Sequence, residues 1–167
     1  KQLLLRDLRE NVRAILERHA VPAGCLHLEV RESDVMRNPQ VARAAFRELQ
    51  EVGVRISLDH FGTGLSSLSC LHDLPIDALK IDRSFIANME QNRSFAALVH
   101  AVTTLGQNLG LTAIATGIET EDQLAMLQTM NCDYGQGNLF GAPIPVEDFT
   151  TQLGPVTRPR DFDGGQR

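Results

Sequence analysis

The chain has 167 residues, 43% of them apolar and 22% charged, an ordinary composition for one domain with enough residues to bury a core. Its net charge of −5 argues against a broad nucleic-acid-binding surface, so no DNA partner is expected. No apolar run reaches the roughly 18 residues of a membrane span, and the three scattered cysteines, Cys25, Cys70 and Cys132, suit a reducing cytoplasm rather than a disulfide framework or a structural zinc site.

Leu5, Leu8, Val12 and Ile15 recur at helical spacing and predict a first helix, which stops before the turn signal Val21-Pro22-Ala23-Gly24. Cys25 to Val30 reads as a strand. Val41, Ala44, Ala45 and Leu49 mark a second helix, opened by Asn38-Pro39 and closed at Gly53. Val54 to Leu58 is the next strand, and Asp59-His60-Phe61-Gly62-Thr63-Gly64 the loop after it. A short helix is expected from Ser66 to His72, then a strand over Ala78 to Ile81. Phe95, Leu98, Val99, Val102, Leu105 and Leu109 form the clearest apolar stripe, ending at Gly110. Leu111 to Ala115 is a strand and Glu121 to Met130 a helix, its Glu121-Asp122 start placed under Thr120. A glycine-broken strand follows within Cys132 to Leu139, and Val146 begins a terminal helix. The tail, residues 154–167, is rich in Pro, Arg, Asp and Gly and is expected to be flexible, with Arg158 and Arg160 solvated.

Strand-helix alternation implies a mainly parallel α/β sheet, either open and doubly wound or closed as a (β/α) barrel. No GxGxxG follows a strand, so a dinucleotide-binding open sheet has no support. The acids favour the barrel. Glu29, Asp59, Asp82 and Glu119 each fall at or just past the carboxyl end of a predicted strand, and in a barrel those ends converge on the active-site face. Four carboxylates at one mouth would make a metal site.

The residues then become specific. Leu28-Glu29-Val30-Arg31-Glu32-Ser33 resembles the E-x-T-E segment of EAL domains, and Leu58 to Leu68 resembles their DDFGTGYSSL loop. Leu74 to Phe85 is similar to LPVDxLKIDRSF, Ala115 to Thr120 to AEGVET, and Gln136 to Pro143 to QGYLFGRP. Five motifs in order identify residues 1–153 as a partial EAL domain by resemblance.

That resemblance implies a TIM-like barrel of EAL type missing its first strands, and an activity that hydrolyses cyclic di-GMP with Mg²⁺ or Mn²⁺. Two hard cations held by carboxylates can clamp a phosphate and lower the pKa of a bridging water. Carried over by position, Glu29, Asp59 and Glu119 match metal ligands, Lys80, Glu119 and Gln136 match catalytic residues, and Glu32 matches the glutamate that positions the loop after the aspartate pair. Asp82 belongs to the same lysine motif with a less defined role.

Two positions depart from the family pattern in ways that touch the chemistry. His60 stands where the family has its second aspartate; a neutral imidazole cannot bridge two cations and favours softer metals. Thr116 replaces the glutamate of AEGVET. His60 is read as a loop histidine rather than a ligand. Arg31 replaces the threonine of E-x-T-E, and strand alternation is expected to turn it away from Glu29 and Glu32. No Glu-x-Leu signature precedes these motifs in the chain.

The expected function is a catalytically impaired EAL module that binds cyclic di-GMP or regulates through it. An active phosphodiesterase in the full-length domain and a protein-docking module without nucleotide are the alternatives. Open sheet edges predict a homo-oligomer, and the resemblance implies GGDEF-type or sensory regions in the parent protein.

Overall fold

The computed structural model describes residues 7–64 and 68–152. Five parallel strands pair strictly in chain order: β1 (His27–Arg31), β2 (Arg55–Phe61), β3 (Ala78–Ile81), β4 (Thr112–Thr116) and β5 (Tyr134–Gln136). An open doubly wound sheet reverses its strand order at a switch point. This sheet does not reverse, so it winds as a barrel segment does. Among the described residues β1 and β5 end the row, each with one ladder partner.

Eight helices are described: α1 (Leu8–Arg18), α2 (Glu32–Arg37), α3 (Pro39–Val52), α4 (Leu68–Asp73), α5 (Arg83–Asn88), α6 (Arg93–Asn108), α7 (Glu121–Thr129) and α8 (Val146–Gln152). Their ends follow local chemistry. In α3 the Asn38 carboxamide accepts the Val41 N–H, Pro39 supplies a first-turn residue with no N–H to satisfy, and Gly53 stops the helix at φ 93°. In α7, Thr120 and Gln123 form a reciprocal capping box. Among the described residues no helix is long and apolar enough to cross a membrane.

Helices α3, α5, α6 and α7 pack on one face of the sheet. Ala42, Phe46 and Leu49 of α3 meet Ile56, Leu58 and Leu79, while Ile86 of α5, Val99 of α6 and Leu127 of α7 meet Ile81, Ala115 and Ile118. Phe46 is fully buried, so truncation to alanine would cost about 3–5 kcal/mol. Side chains alternate along a strand, so the face opposite the helices carries His27, Glu29 and Arg31 from β1, Ser57 from β2, Lys80 from β3, and Thr116 and Gln136 from β4 and β5.

Several expectations need correction. Arg31 is not turned away from Glu29. The two are exposed on the same face of β1 with half-buried Val30 between them; it is Glu32 that leaves the alternation, because α2 begins there. Cys25 lies in a 3-10 turn, Ala23–Cys25, and the strand starts at His27. β2 runs on through Asp59 and His60 to Phe61 instead of ending at Leu58. β5 is three residues long. Helices α2 and α5 are too short, at six residues each, for an apolar period to register. Residues 65–67, with the expected helix start at Ser66, and the tail from Gly154 lie outside the described residues.

Candidate functional site

At the carboxyl end of the sheet the β2–β3 ladder is irregular. Leu58 pairs with Leu79 and Phe61 with Ile81, so Asp59 and His60 together stand opposite Lys80. This is a β-bulge, a device that re-aims a side chain out of strict alternation. His60 carries the strain of it at φ 56°, a left-handed conformation that histidine visits more readily than most residues.

The bulge turns the imidazole towards two carboxylates. His60 Nδ1 lies 2.5 Å from Asp82 Oδ2, and Nε2 lies 3.4 Å from Asp59 Oδ2. His60 is therefore no bystander of a loop. Asp82 is almost buried and also accepts the Ser84 N–H at 2.8 Å, which caps α5. Burial alone would raise its pKa, but the hydrogen bonds from Ser84 and His60 and the nearby imidazole outweigh it and hold the carboxyl below its ordinary value. An ionised carboxylate only accepts, so the Nδ1 proton belongs to His60.

Lys80 is buried on the central strand, and its ammonium donates to Glu29 Oε1 at 2.6 Å, two strands away. Glu32 is buried at the start of α2 and accepts the Gly62 N–H through Oε2 at 2.9 Å. A Cβ on Gly64 would come within 2.7 Å of Glu32 Oε1, so the loop after β2 sits closed over this carboxylate. Thr116 spends its hydroxyl on the Ile81 carbonyl at 2.8 Å. The Gln136 carbonyl accepts both Gly117 N–H and Ile118 N–H, which ties β5 to the loop after β4.

Asp59, His60, Lys80, Asp82, Arg83, Thr116, Gly117, Gln136 and Gly137 line one open cleft of about 260 Å³. Of the residues singled out in the sequence, Asp59, His60, Lys80, Thr116 and Gln136 thus come together, with Glu29 joined through Lys80 and Glu32 lying behind the loop. Glu119 is exposed and does not line the cleft. Sequence reasoning missed Arg83, although it directly follows the Lys80-Ile81-Asp82 motif.

The donors as arranged do not fit a pair of divalent cations. Of the three carboxylates that match metal ligands, Glu29 is engaged by Lys80, Asp59 lies 3.4 Å from His60 Nε2, and Glu119 stands outside the cleft. Among the described residues no three His, Cys, Asp or Glu side chains are grouped to hold a metal ion.

The EAL domain family model matches residues 1–143. The chain belongs to the EAL domain family. The bifunctional diguanylate cyclase/cyclic di-GMP phosphodiesterase MucR of Pseudomonas aeruginosa is 43% identical over 146 residues, which are 87% of this chain and 21% of that protein. The solved MucR phosphodiesterase in complex with c-di-GMP superposes with a TM-score of 0.85 at 41% identity, covering 89% of this chain and 60% of that one. The EAL domain of Mycobacterium smegmatis DcpA superposes with a TM-score of 0.85 at 38% identity, covering 91% and 68%. A manganese/cy-diGMP complex of Klebsiella pneumoniae BlrP1 does so with a TM-score of 0.80 at 26% identity, covering 85% and 36%, so divalent metals occur with the EAL fold. The EAL fold is a TIM-like barrel, and the five parallel strands are a segment of one. The chain spans about a fifth of the length of the curated relatives it matches.

Proposed function

We propose that this EAL segment recognises cyclic di-GMP and that its capacity to hydrolyse it is impaired. The observation that carries the reading is the make-up of the cleft. Asp59, Lys80, Thr116 and Gln136, from four successive strands, line one opening, yet the positions of His60 and Thr116 hold no carboxylate. Nucleotide handling is supported by the shared cleft and by the ligands named for MucR and BlrP1. Impairment is supported by what the groups are doing. The Thr116 hydroxyl is bound to a backbone carbonyl and has no carboxylate basicity to offer a water.

In this reading Lys80 and Gln136 face the nucleotide, Asp59 borders its phosphate, and Glu32 holds the Gly62 loop in place. The opening is smaller than the roughly 300–1,000 Å³ of pockets that enclose drug-sized ligands. The parent protein joins this segment to further regions, of GGDEF or sensory type, a proposal supported by the bifunctional name of MucR.

The test is direct. The 167-residue chain is incubated with cyclic di-GMP and Mn²⁺ and the products resolved by chromatography, while calorimetry follows binding. Heat of binding without linear product is expected. Turnover at ordinary enzyme rates, on the order of 1 s⁻¹ or more, would overturn the impaired reading. Absence of binding heat would overturn recognition.

A further inference from the structure

Three charges in the cleft, those of Lys80, Asp59 and Asp82, can be followed to a contact. Lys80 is neutralised by Glu29, and Asp59 and Asp82 flank the same imidazole. Arg83 is different. It is exposed, lines the cleft beside Asp82, and makes no ion pair or hydrogen bond among the described residues.

Its position is built rather than accidental. Asp82 caps α5 and so fixes where the helix begins, one residue before Arg83. Gly117 has φ 79°, and a Cβ there would meet the Arg83 Cβ at 2.5 Å. The bare glycine is what lets the first turn of α5 lie against the loop after β4, with the arginine stem at the cleft wall. Any other residue would need the left-handed conformation and would also push the stem away.

Resting on the reading that the cleft takes a cyclic dinucleotide, we propose that Arg83, and not a divalent cation, is the group that binds its phosphodiester. The carboxylates named for a cation are not gathered around one point: Glu29 is held by Lys80, Asp59 stands 3.4 Å from His60 Nε2, and Glu119 lies outside the cleft. Arg83 remains as an uncommitted cation, and its planar guanidinium matches two phosphate oxygens at once. His60 closes the site to metal. Arg83 opens it to phosphate.

The experiment titrates the full chain with cyclic di-GMP in EDTA and again in Mn²⁺, for wild type, Arg83→Gln, Arg83→Lys and Gly117→Ala. Wild-type affinity should agree within about twofold between the two buffers. Arg83→Gln should lose at least tenfold with its melting temperature unchanged, because the side chain is exposed, and Arg83→Lys should fall between. Gly117→Ala should weaken binding as well, through the displaced arginine. In parallel, Mn²⁺ uptake followed by electron paramagnetic resonance should be undetectable for wild type and appear in His60→Asp, a residue that tolerates the same left-handed backbone. Nucleotide binding that requires Mn²⁺, or Arg83→Gln binding like wild type, overturns the proposal alone. Wild type taking up Mn²⁺ as well as His60→Asp also overturns it. Silence towards the nucleotide in both buffers overturns the functional reading and this inference together.

Discussion

The Nδ1 atom of His60 lies 2.5 Å from Asp82 Oδ2, and this contact joins two strands with the helix that follows them. It depends on the bulge in β2, which sets two residues against Lys80, and on the capping role of Asp82 at α5. A single carboxylate thus takes the imidazole of β2 and the first turn of α5 in one set of hydrogen bonds. The same contact spends a cleft oxygen that a cation would otherwise use.

The lowered pKa of Asp82 has a consequence for stability. Its ordinary value is 3.8 and its folded value lies below that. The native state therefore binds this proton less readily than the unfolded chain. The resulting stabilisation is complete above the ordinary value and is lost as pH falls through the folded one. Melting temperatures of wild type and Asp82→Asn, measured from pH 7 down to about 2, should converge at the acid end. Asparagine also caps helices, so the cap survives the change and the comparison isolates the charge. A constant difference across that range would contradict the assignment.

Lys80 and Glu29 form one ion pair, but the two ends are unequal. The lysine side chain is 7% exposed and the glutamate 51%. Removing the lysine returns Glu29 to water, so Lys80→Met should change stability by no more than about 1 kcal/mol, the worth of a solvated pair. Removing the glutamate leaves an ammonium buried without its partner, so Glu29→Ala should cost about 1–3 kcal/mol. Urea denaturation of both variants checks the order, and equal losses would show that the pair behaves as a surface one.

Much of this was legible in the sequence, for identifiable reasons. The α3 and α6 stripes, the Asn38-Pro39 start and the Thr120 cap are local signals, and each forms where its chemistry places it. The parallel sheet followed from alternation, and its family from five ordered motifs. The bulge was not legible, because Asp59-His60-Phe61-Gly62 reads locally as a turn and its register is set by β3, some twenty residues on. For the same reason the His60 partner could not be named. Arg83 was missed because an arginine next to Asp82 looks solvated until Gly117 is seen against it.

Glu32 supports the loop that leads out of β2. It is buried, it accepts the Gly62 N–H, and Gly64 passes so close that a methyl group would collide with the carboxylate. Glu32→Ala should leave the loop amide without its acceptor and cost about 1–3 kcal/mol. Gly64→Ala should disturb the same contact from the other side. Amide hydrogen exchange of Gly62, read by NMR, should accelerate in both variants, and unchanged protection would show that something else holds the loop.

The two end strands bear on assembly. Among the described residues β1 and β5 each have one ladder partner, so each offers backbone N–H and C=O groups on its outer side. At the β5 end Tyr134 is 66% exposed and Phe140 57%. Unpaired edges flanked by exposed aromatics are surfaces that proteins normally pair or cover. The isolated chain should therefore give a light-scattering mass near twice 18.4 kDa or above. Charge on an edge opposes pairing, so Tyr134→Lys should shift the population towards monomer if β5 is the edge engaged, while leaving it unchanged if β1 is. A monodisperse wild-type monomer would mean that neither edge recruits a second copy.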